Sequence, residues 1–401
     1  MITDQEKIKK LLSRGVKNVI ELEHLKNRLL SGEKLRIKFG IDPTASEIHI
    51  GNAIVLRKLR DFQNLGHQVI FLIGDYTAKI GDPSGRNSTR PILSDQEIKN
   101  NMATYKKQVA KILDLKKIEI RYNSEWLGKM KASDIFSLMQ MTSLNKILER
   151  EDFDQRLKNQ SSISSSELLY PLFQGYDSVI LKADLELGGQ DQLLNMLMGR
   201  ELQVKFKQKP QDVMTFSLLE GLDGVKKMSK SYGNYIGLTF TPNDMFGKIM
   251  SIPDNLIIKY FTLCTDLSLA KINQLEEKLK ADANPRDLKA QLAKEIVRIY
   301  HGEKSADEAE KEFDKIFKEK KVPEEIKAVK INLGGEKKLA DLMFEHRLAP
   351  SKGEAARLID QKAVEINDEV ILDKHYRILF DKLGTKIIKV GKRGFLRLDI
   401  K

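Results

Sequence analysis

The stretch from Leu35 to Asn52 reads LRIKFGIDPTASEIHIGN. Its first part, Leu35 to Ile41, is rich in apolar residues and predicts a buried strand. Asp42-Pro43-Thr44 ends this strand, because proline has no N–H to contribute to a sheet. Apolar residues then recur at helical spacing, so His49 and Gly51 lie where a strand passes to the N-terminus of a helix. Such an end attracts phosphate through its free backbone N–H groups and the helix dipole.

His49 and Gly51 both suit a nucleotide site. Either form of the histidine can donate a hydrogen bond to a phosphate oxygen, and the glycine lets a flat base or ribose approach the backbone. Taken alone, His49-Ile50-Gly51-Asn52 is equally compatible with a strand–helix loop that carries an incidental histidine.

A second polar segment, GLDGVKKMSKSYGN, runs from Gly221 to Asn234. Its lysines, Lys227 and Lys230, are separated by small residues and can close over an anion. A loop of this composition is expected to move onto its substrate. The alternative is a solvated basic turn, which is the commoner explanation of a lysine-rich turn.

The chain from 35 to 75 alternates strand, helix and strand, which predicts a parallel α/β sheet with right-handed crossovers. Ligands of such sheets bind at the carboxyl ends of the strands, where Asp42-Pro43-Thr44 and Gly188-Gly189 would lie. Residues 1 to about 35 are expected to form an amphipathic helix. Residues 83 to about 168 and 240 to about 320 are predicted to be mostly helical.

Composition restricts the class of protein. A chain of 401 residues with 41% hydrophobic and 31% charged residues predicts a globular protein of two or three domains. Its single cysteine excludes an internal disulfide, and neither a signal peptide nor a long apolar span is found, which predicts the cytoplasm and no membrane partner. The net charge of +12 suits a polyanionic partner.

Together the two polar segments resemble the HIGH and KMSKS motifs of class I aminoacyl-tRNA synthetases, with Asn52 in place of the final histidine. Further segments resemble the bacterial tyrosyl-tRNA synthetase family in particular. They are Gly40–Ala45, Ile80–Arg86, Tyr170–Asp177 and Gly188–Gln192. The resemblance implies a Rossmann-type catalytic domain that activates L-tyrosine with ATP and Mg²⁺, without a metal site of the protein. Transfer to tRNA(Tyr) would follow.

The resemblance also implies roles for single residues. Thr44 and His49 would hold the γ-phosphate side of ATP, Gly51 would lie under the nucleoside, and Asp191 would bind the ribose. A pyrophosphate clamp would consist of Lys227, Lys230, Arg86 and Arg90. The remaining ATP-binding positions would be Gly40, Asp42, Asn52, Gly189 and Met228.

For the amino acid, Gln192 would lie near the carboxylate and Asp177 would accept a hydrogen bond from the phenol hydroxyl. The groups around the α-ammonium would be Asp82, Tyr170 and Gln174. Without the surrounding motifs, Asp177 would be read as a helix cap or an ion-pair partner. One departure concerns Lys38, because the better-known branch of the family has a tyrosine there that also contacts the phenol. The sequence leaves the source of that second contact open.

The expected domains are a catalytic domain over 1–240, a helical anticodon-facing domain over 241–325 and an S4-like RNA-binding domain over 336–401. The insertion at about 83–168 would form a homodimer interface, although packing on the parent domain is equally compatible with its pattern. From Ile371 onward nine Lys or Arg stand against three Asp. We expect this tail to contact tRNA. The contacts would come from Lys386, Lys389, Lys392, Arg393 and Arg397.

Two alternatives remain at this stage. A tryptophanyl-type or other class I synthetase would share the two motifs, but Asp177 and the S4-like tail argue against it. A non-catalytic RNA-binding paralogue is disfavoured by the intact Lys227–Ser231 segment.

Overall fold

A computed structural model describes residues 1–84, 93–318, 328–367, 369–391 and 394–401. The chain divides into two compact units, Met1–Ala306 and Asp307–Lys401. None of the helices in these described ranges is long and apolar enough to cross a membrane.

A six-stranded sheet forms the centre of the first unit. Its strands are β1 (Val16–Ile20), β2 (Arg36–Ile41), β3 (Gln68–Ile73), β4 (Ile118–Tyr122), β5 (Leu185–Gly189) and β6 (Asp212–Phe216). They lie in the order β1-β6-β5-β2-β3-β4, with β2 to β6 parallel and β1 antiparallel at the edge. The predicted parallel α/β sheet is confirmed, and an antiparallel edge strand is added to it.

Helices flank this sheet and fill the rest of the unit. They are α1 (Gln5–Ser13), α2 (Leu22–Leu30), α3 (Ile50–Leu65), α4 (Asp95–Met102), α5 (Tyr105–Val109), α6 (Ser124–Leu127), α7 (Ala132–Met139), α8 (Leu144–Leu148), α9 (Glu151–Lys158), α10 (Tyr170–Leu181), α11 (Leu193–Lys205), α12 (Pro242–Met250), α13 (Ile257–Cys264), α14 (Leu269–Lys280), α15 (Pro285–His301) and α16 (Glu303–Lys318), which crosses the boundary between the units. Among the residues that the structure describes, the helical character expected for 83–168 and 240–320 is confirmed, apart from β4.

The connection that places the functional segments is β2-α3-β3. The inward residues of β2 and β3 are buried, and the strands pair in register from Arg36 beside Gln68 to Ile41 beside Ile73. Strand β2 pairs with β3 along one edge and with β5 along the other. The chain therefore continues from β2 to one side of the sheet and later returns to the opposite side. Ligands bind where the strand order reverses in this way. The carboxyl ends of β2 and β5, at Ile41 and Gly189, therefore lie side by side at that point.

The single amphipathic helix predicted for residues 1 to about 35 is wrong, because β1 separates α1 from α2. Gly15 has φ +69°, a left-handed conformation that glycine adopts readily and that interrupts the helix. The β-branched residues Val16, Val19 and Ile20 then suit a strand. Their partner is β6, about two hundred residues later, where Val19 lies beside Met214. Local spacing could not reveal that partner.

The second unit combines two short helices with two small sheets. Its elements are β7 (Ala328–Ile331), β8 (Glu336–Lys338), α17 (Leu339–Glu345), α18 (Lys352–Asp360), β9 (Val364–Ile366), β10 (Glu369–Val370), β11 (Arg377–Leu379), β12 (Gly384–Val390) and β13 (Gly394–Ile400). The larger sheet has the order β10-β9-β12-β13-β7, and β11 pairs with β8. Leu342, Ile359, Ile388 and Leu398 are fully buried in its core.

Candidate active site

A cavity of about 490 Å³ opens at the carboxyl ends of β2 and β5. This volume is in the range of pockets that hold small-molecule ligands. The structure brings together sixteen of the predicted site residues in its lining, namely Gly40, Asp42, Thr44, His49, Gly51, Asn52, Asp82, Tyr170, Gln174, Asp177, Gly189, Asp191, Gln192, Lys227, Met228 and Lys230. Arg86 and Arg90 lie outside the described residues.

His49 begins α3 as its N-cap. Its Nδ1 accepts from the backbone N–H of Asn52 at 3.3 Å, and the Asn52 side-chain oxygen accepts from the N–H of His49 at 3.2 Å. This reciprocal capping box satisfies two backbone donors that a helix start otherwise leaves open. A Cβ at Gly51 would lie 3.0 Å from His49 Nδ1, so the glycine leaves room for the capping ring. Asn52 therefore completes the cap in the last position of the motif.

The helix cap also determines which ring nitrogen of neutral His49 carries the hydrogen. Because Nδ1 accepts a hydrogen bond, a neutral ring carries its hydrogen on Nε2. Burial, together with the positive charge of Lys227, lowers the pKa of His49 to about 4, so the ring is neutral at pH 7. The residue is thus a neutral donor on the wall of the cavity.

The residues that follow the lysine-rich segment form backbone hydrogen bonds with the chain at the start of α3. The N–H of Ile50 donates to the carbonyl of Ile236 at 3.0 Å, and the N–H of Leu238 donates to Ile48 at 2.9 Å. Within the segment, the Asn234 side chain accepts from the N–H of Ser229 at 2.8 Å and donates to the carbonyl of Lys227 at 3.2 Å. Backbone hydrogen bonds thus connect the first motif to Ile236 and Leu238, directly after the second motif.

The two lysines of this segment have different partners. Lys227 forms an ion pair with Asp191 at 2.8 Å, whereas Lys230 donates to Ser46 Oγ at 3.3 Å and lies 4.0 Å from Glu47. A Cβ at Gly189 would lie 2.5 Å from Asp191 Oδ1, so a side chain there would displace this carboxylate. Both lysines are partly exposed, so they have a charge that a ligand at the mouth of the cavity can attract.

The middle of the cavity is lined by paired polar groups. Asp42 accepts from the hydroxyl of Tyr170 at 3.0 Å and from the hydroxyl of Thr77 at 2.8 Å. Asp82 accepts from the Gln192 amide at 2.7 Å. Asp42, expected at the ATP, thus orients a residue expected at the amino acid. Carboxylates and amide oxygens concentrated here suit a ligand ammonium group.

The closed end of the cavity holds Asp177, which is 3% exposed. Its carboxylate accepts from Trp126 Nε1 at 2.8 Å and from Asn123 Nδ2 at 3.3 Å. Burial raises the pKa of Asp177 to about 7, although Lys38, Trp126 and Asn123 each act to lower it. A carboxylate has about four acceptor positions. Asp177 can therefore accept a further hydrogen bond, from a ligand hydroxyl.

Lys38 does not take the place of a second hydroxyl contact. Its ammonium is fully buried against Glu186, at 2.9 Å, and donates to the Gln174 carbonyl at 3.0 Å and to Ser178 Oγ at 2.8 Å. Asn123, Thr77 and Asp177 line the cavity at this end, and Asn123 Nδ2 also donates to Thr77 Oγ1 at 3.0 Å.

Sequence reasoning missed Asn123, Trp126 and Glu186. Glu186 gave a signal, since a carboxylate lies between Leu185 and Leu187 in a buried strand and only a buried partner makes that favourable. Asn123 and Trp126 gave none, because α6 and the residue before it are brought to Asp177 by the sheet.

The basic residues of the tail belong to the second unit. Lys389 and Arg397 lie on the face of the β12–β13 hairpin opposite its core, where Lys389 pairs with Glu365 at 2.8 Å and Arg397 with Asp399 at 3.1 Å. Lys386 donates to the Leu379 carbonyl at 2.9 Å. Lys392 and Arg393 lie outside the described residues.

Comparison with known proteins agrees with this geometry. Residues 30–318 match the family of tRNA synthetases class I (W and Y), and residues 337–382 match the S4 domain. The chain is similar to the tyrosine–tRNA ligase of Thermotoga maritima, with 48% identity over 99% of this chain and 98% of that protein. It is similar to the tyrosine–tRNA ligase of Francisella tularensis, with 47% identity over 98% of each.

Solved structures with a similar fold include tyrosyl-tRNA synthetase from Archaeoglobus fulgidus complexed with L-tyrosine. It has 26% identity and a TM-score of 0.63 over 76% of this chain and 99% of that one. A truncated mitochondrial tyrosyl-tRNA synthetase from Aspergillus nidulans has a TM-score of 0.66 at 22% identity, over 78% of this chain and 95% of that one. The family match covers the five parallel strands of the sheet, the cavity and both motifs, and the chain therefore belongs to the class I tRNA synthetases of the tryptophan and tyrosine group and has an S4 domain.

Proposed function

We propose that this chain is a tyrosine–tRNA ligase, which joins L-tyrosine to ATP as tyrosyl-adenylate and then transfers the tyrosyl group to the 3′-terminal adenosine of tRNA(Tyr). The observation that carries the choice of amino acid is Asp177 at the closed end of the cavity. Only two protein donors reach its carboxylate among the described residues. A phenol hydroxyl would supply a further donor, whereas an indole or a phenyl ring would leave this buried acceptor capacity unused.

The rest of the amino acid would lie along the middle of the cavity. Its ammonium would lie between Asp82, Tyr170 and Gln174, and Gln192 would lie beside its carboxylate. The hydrogen bonds that Asp42 and Asp82 already accept hold Tyr170 and Gln192 in place before the substrate arrives. A site ordered in advance binds its ligand at a lower cost in entropy.

ATP would occupy the mouth, next to the N-terminus of α3. Neutral His49 would donate from Nε2 to a phosphate oxygen, with Thr44 beside it. Asp191 would accept from the ribose hydroxyls, and this would release Lys227 from its present ion pair toward the phosphates. The nucleotide-contacting wall would be completed by Gly40, Asp42, Gly51, Asn52, Gly189 and Met228.

The reaction needs no protein nucleophile. A carboxylate oxygen of tyrosine attacks the α-phosphorus of ATP, the bond to the β-phosphate oxygen breaks, and pyrophosphate leaves with the electron pair. Lys227 and Lys230 would stabilise the negative charge that grows on the leaving group, in the manner of preorganised phosphate clamps. Arg86 and Arg90 are proposed to join them. ATP would enter as its Mg²⁺ complex, as nucleoside triphosphates do in phosphoryl transfer.

The second step uses the remaining domains. We propose a catalytic domain over 1–240, a helical anticodon-facing domain over 241–325 and an S4 domain over 336–401. The tRNA-contacting residues of the last would be Lys386, Lys389, Lys392, Arg393 and Arg397. A terminal hydroxyl of the tRNA would attack the tyrosyl carbonyl and release AMP. We propose that the protein works in the cytoplasm, on a tRNA present there.

We also propose a homodimer formed through the insertion at about 83–168. Phe136, Met139 and Leu144 on α7 and α8 are 63%, 45% and 54% exposed, an unusual concentration of large apolar side chains. Light scattering of the purified protein tests this, with Phe136→Asp expected to shift a dimer toward the monomer. A monomeric parent protein would contradict it.

ATP–pyrophosphate exchange tests the activation step, with each amino acid supplied singly. Exchange with tyrosine is the expected result. Exchange with tryptophan would move the chain to the tryptophan enzymes of the same family, and no exchange with any amino acid would favour a non-catalytic RNA-binding protein.

A further inference from the structure

The closed end of the cavity contains a second pair of charges that the proposed chemistry does not use. Lys38 on β2 and Glu186 on β5 are 0% and 2% exposed, and they lie opposite each other in the parallel pairing of these strands. Both line the cavity. Burying two charges is costly unless each is fully hydrogen-bonded, so an arrangement of this kind needs a reason.

The ammonium of Lys38 is fully occupied. It has three N–H donors, and three acceptors lie at 2.8 to 3.0 Å, namely Glu186, the Gln174 carbonyl and Ser178 Oγ. A direct hydrogen bond from Lys38 to a ligand hydroxyl would require one of these contacts to break. Lys38 therefore influences the ligand through the protein rather than by touching it.

The carboxylate of Glu186 is satisfied as well. It accepts from the Gln174 amide at 3.2 Å, from Ser178 Oγ at 3.1 Å and from the Gln211 amide. Ser178 thus accepts from the lysine and donates to the glutamate. The pair consequently ties strands β2 and β5 to helix α10.

The same helix carries Asp177. Gln174 and Ser178, which the pair holds, lie three residues before it and directly after it, so the pair fixes the turn of α10 from which its carboxylate projects. The charged groups that act on Asp177 are Lys38 from β2 and Glu186 from β5, while Trp126 and Asn123 supply neutral donors. Asp42, Asp82, Tyr170 and His49 line the same cavity.

The cation has the larger effect of the two charges. Burial is the main cause that raises the pKa of Asp177, the Lys38 charge is the main cause that opposes it, and the Glu186 charge raises it by less. Without Lys38 the carboxyl group would take up a proton more readily. A protonated Asp177 would accept a weaker hydrogen bond from a phenol. It would also make it less costly to bind a ring that has no hydroxyl.

We propose that Lys38, held by Glu186, is a positioning residue that keeps Asp177 oriented and negatively charged, and so determines the preference for a hydroxylated ring without contacting the amino acid. This inference rests on the proposed function, since it assigns the specificity of the same site. It also explains why a lysine stands where the better-known branch has a tyrosine. The charge of Lys38 acts on Asp177, and this effect takes the place of a second direct contact to the ring hydroxyl.

Two variants test the proposal in opposite directions. Glu186→Gln removes the anion and leaves Lys38 with Asp177 as its neighbouring carboxylate, whereas Lys38→Met/Glu186→Gln removes both charges. The glutamine can be accommodated, because Gln211 Oε1 has no hydrogen-bond partner among the described residues and can accept its N–H after an amide turn. Lys58→Met is the control, since Lys58 is a buried lysine on α3 that does not line the cavity.

The readout is kcat/KM for tyrosine between pH 5.5 and 8.5, measured by ATP–pyrophosphate exchange at saturating ATP. The acid limb of this profile reports a group of the free enzyme. We expect its midpoint to be lowest in Glu186→Gln, intermediate in the parent and highest in the double variant, with the two variants about one pH unit or more apart. Discrimination between tyrosine and phenylalanine at pH 7 should run in the opposite order, highest in Glu186→Gln and lowest in the double variant, because a lower midpoint leaves more of Asp177 in its anionic form.

A purely structural role gives a different result. It would lower kcat/KM by the same factor at every pH, leave the midpoint in place and give profiles like that of Lys58→Met, and this would overturn the proposal. If Glu186→Gln does not fold, the shift of the double variant above the parent decides the question. Absence of tyrosine-dependent exchange in the parent at every pH would instead refute the proposed function.

Discussion

The closed end and the mouth of the cavity each contain an ion pair between a lysine and a carboxylate, but the two pairs differ in burial. At the closed end the Lys38–Glu186 pair is almost fully buried, and the Lys38 ammonium also donates two hydrogen bonds, to the Gln174 carbonyl and to Ser178 Oγ. At the mouth the Lys227–Asp191 pair is 32% and 19% exposed and joins two separate loops. A dry, saturated pair resists rearrangement, whereas an exposed pair is worth little and exchanges easily. In the function that we propose, recognition of the ring would rest on a rigid network, and the charge for phosphate chemistry would come from groups that can change partners.

The largest effect is expected at the mouth. Lys230→Ala should lower kcat for adenylate formation by about 10²- to 10³-fold, because the lysine acts on charge that develops in the transition state. The dissociation constant of tyrosine should stay the same, since the closed end is untouched. Rapid-quench kinetics and equilibrium dialysis separate the two quantities. Lys226→Ala is the matched control, because Lys226 lies over the Tyr232 ring and not in the cavity lining. An equal loss of tyrosine affinity would remove the distinction between the ends.

A smaller effect should follow from His49→Asn. Asparagine is a favourable N-cap, so the thermal stability should be retained, whereas the Nε2 donor is lost at a cost of about 1–3 kcal/mol in kcat/KM for ATP. His49→Ala should lose the same activity and, in addition, about 1 kcal/mol of stability from the cap. Calorimetry with steady-state kinetics checks both variants. Full activity in His49→Asn would show that the histidine only caps the helix.

The closed end responds more moderately to the loss of one donor. Trp126→Phe keeps a ring but removes one of the two protein donors to Asp177, and the net worth of such a hydrogen bond is about 1 kcal/mol. We expect kcat/KM for tyrosine to fall by about fivefold, with its acid midpoint moved upward because Trp126 lowers the pKa of Asp177. An unchanged midpoint would mean that Trp126 packs against the ligand without stabilising the carboxylate.

The smallest effect on the cavity is expected from the second unit. Arg397→Ala should leave ATP–pyrophosphate exchange unchanged, while the KM for tRNA rises a few-fold. The slope of log affinity against log salt should also fall by about one, as for a single lost phosphate contact. Aminoacylation at several salt concentrations provides the measurement. Charging that does not change at any salt concentration would remove Arg397 from the tRNA contact.

Much of the fold and the mouth of the site could be predicted because their signals are local. The turn at Asp42-Pro43-Thr44, the cap at His49 and the lysines of the second motif are each readable within about ten residues. Membership of one parallel sheet then places them together, since parallel strands share a carboxyl edge. The structure agrees with each of these placements.

The closed end could not be predicted in the same way. Asn123 lies in a connection that only the β3–β4 pairing brings under α10. The residues next to it in the sequence contain no pattern that predicts a ligand contact. Lys38 and Glu186 are each conspicuous in an apolar strand, but their pairing depends on the register of β2 against β5. β1 was missed for the same reason, because its partner strand lies far along the chain. Long-range register is the information that local patterns lack.

The central claim, that the charged form of Asp177 recognises the ring hydroxyl, is tested most directly by the ratio of kcat/KM for tyrosine to that for phenylalanine across pH 5.5 to 8.5. Burial raises the pKa of Asp177 to about 7, so the group is protonated below that pH and anionic above it. A phenyl ring offers the buried anion no further hydrogen bond, whereas placing the same ring beside the neutral acid costs less free energy. The ratio should therefore rise as the pH passes about 7, and Asp177→Asn should make it low and independent of pH. A ratio that is constant across this range, or that survives in Asp177→Asn, would contradict the account.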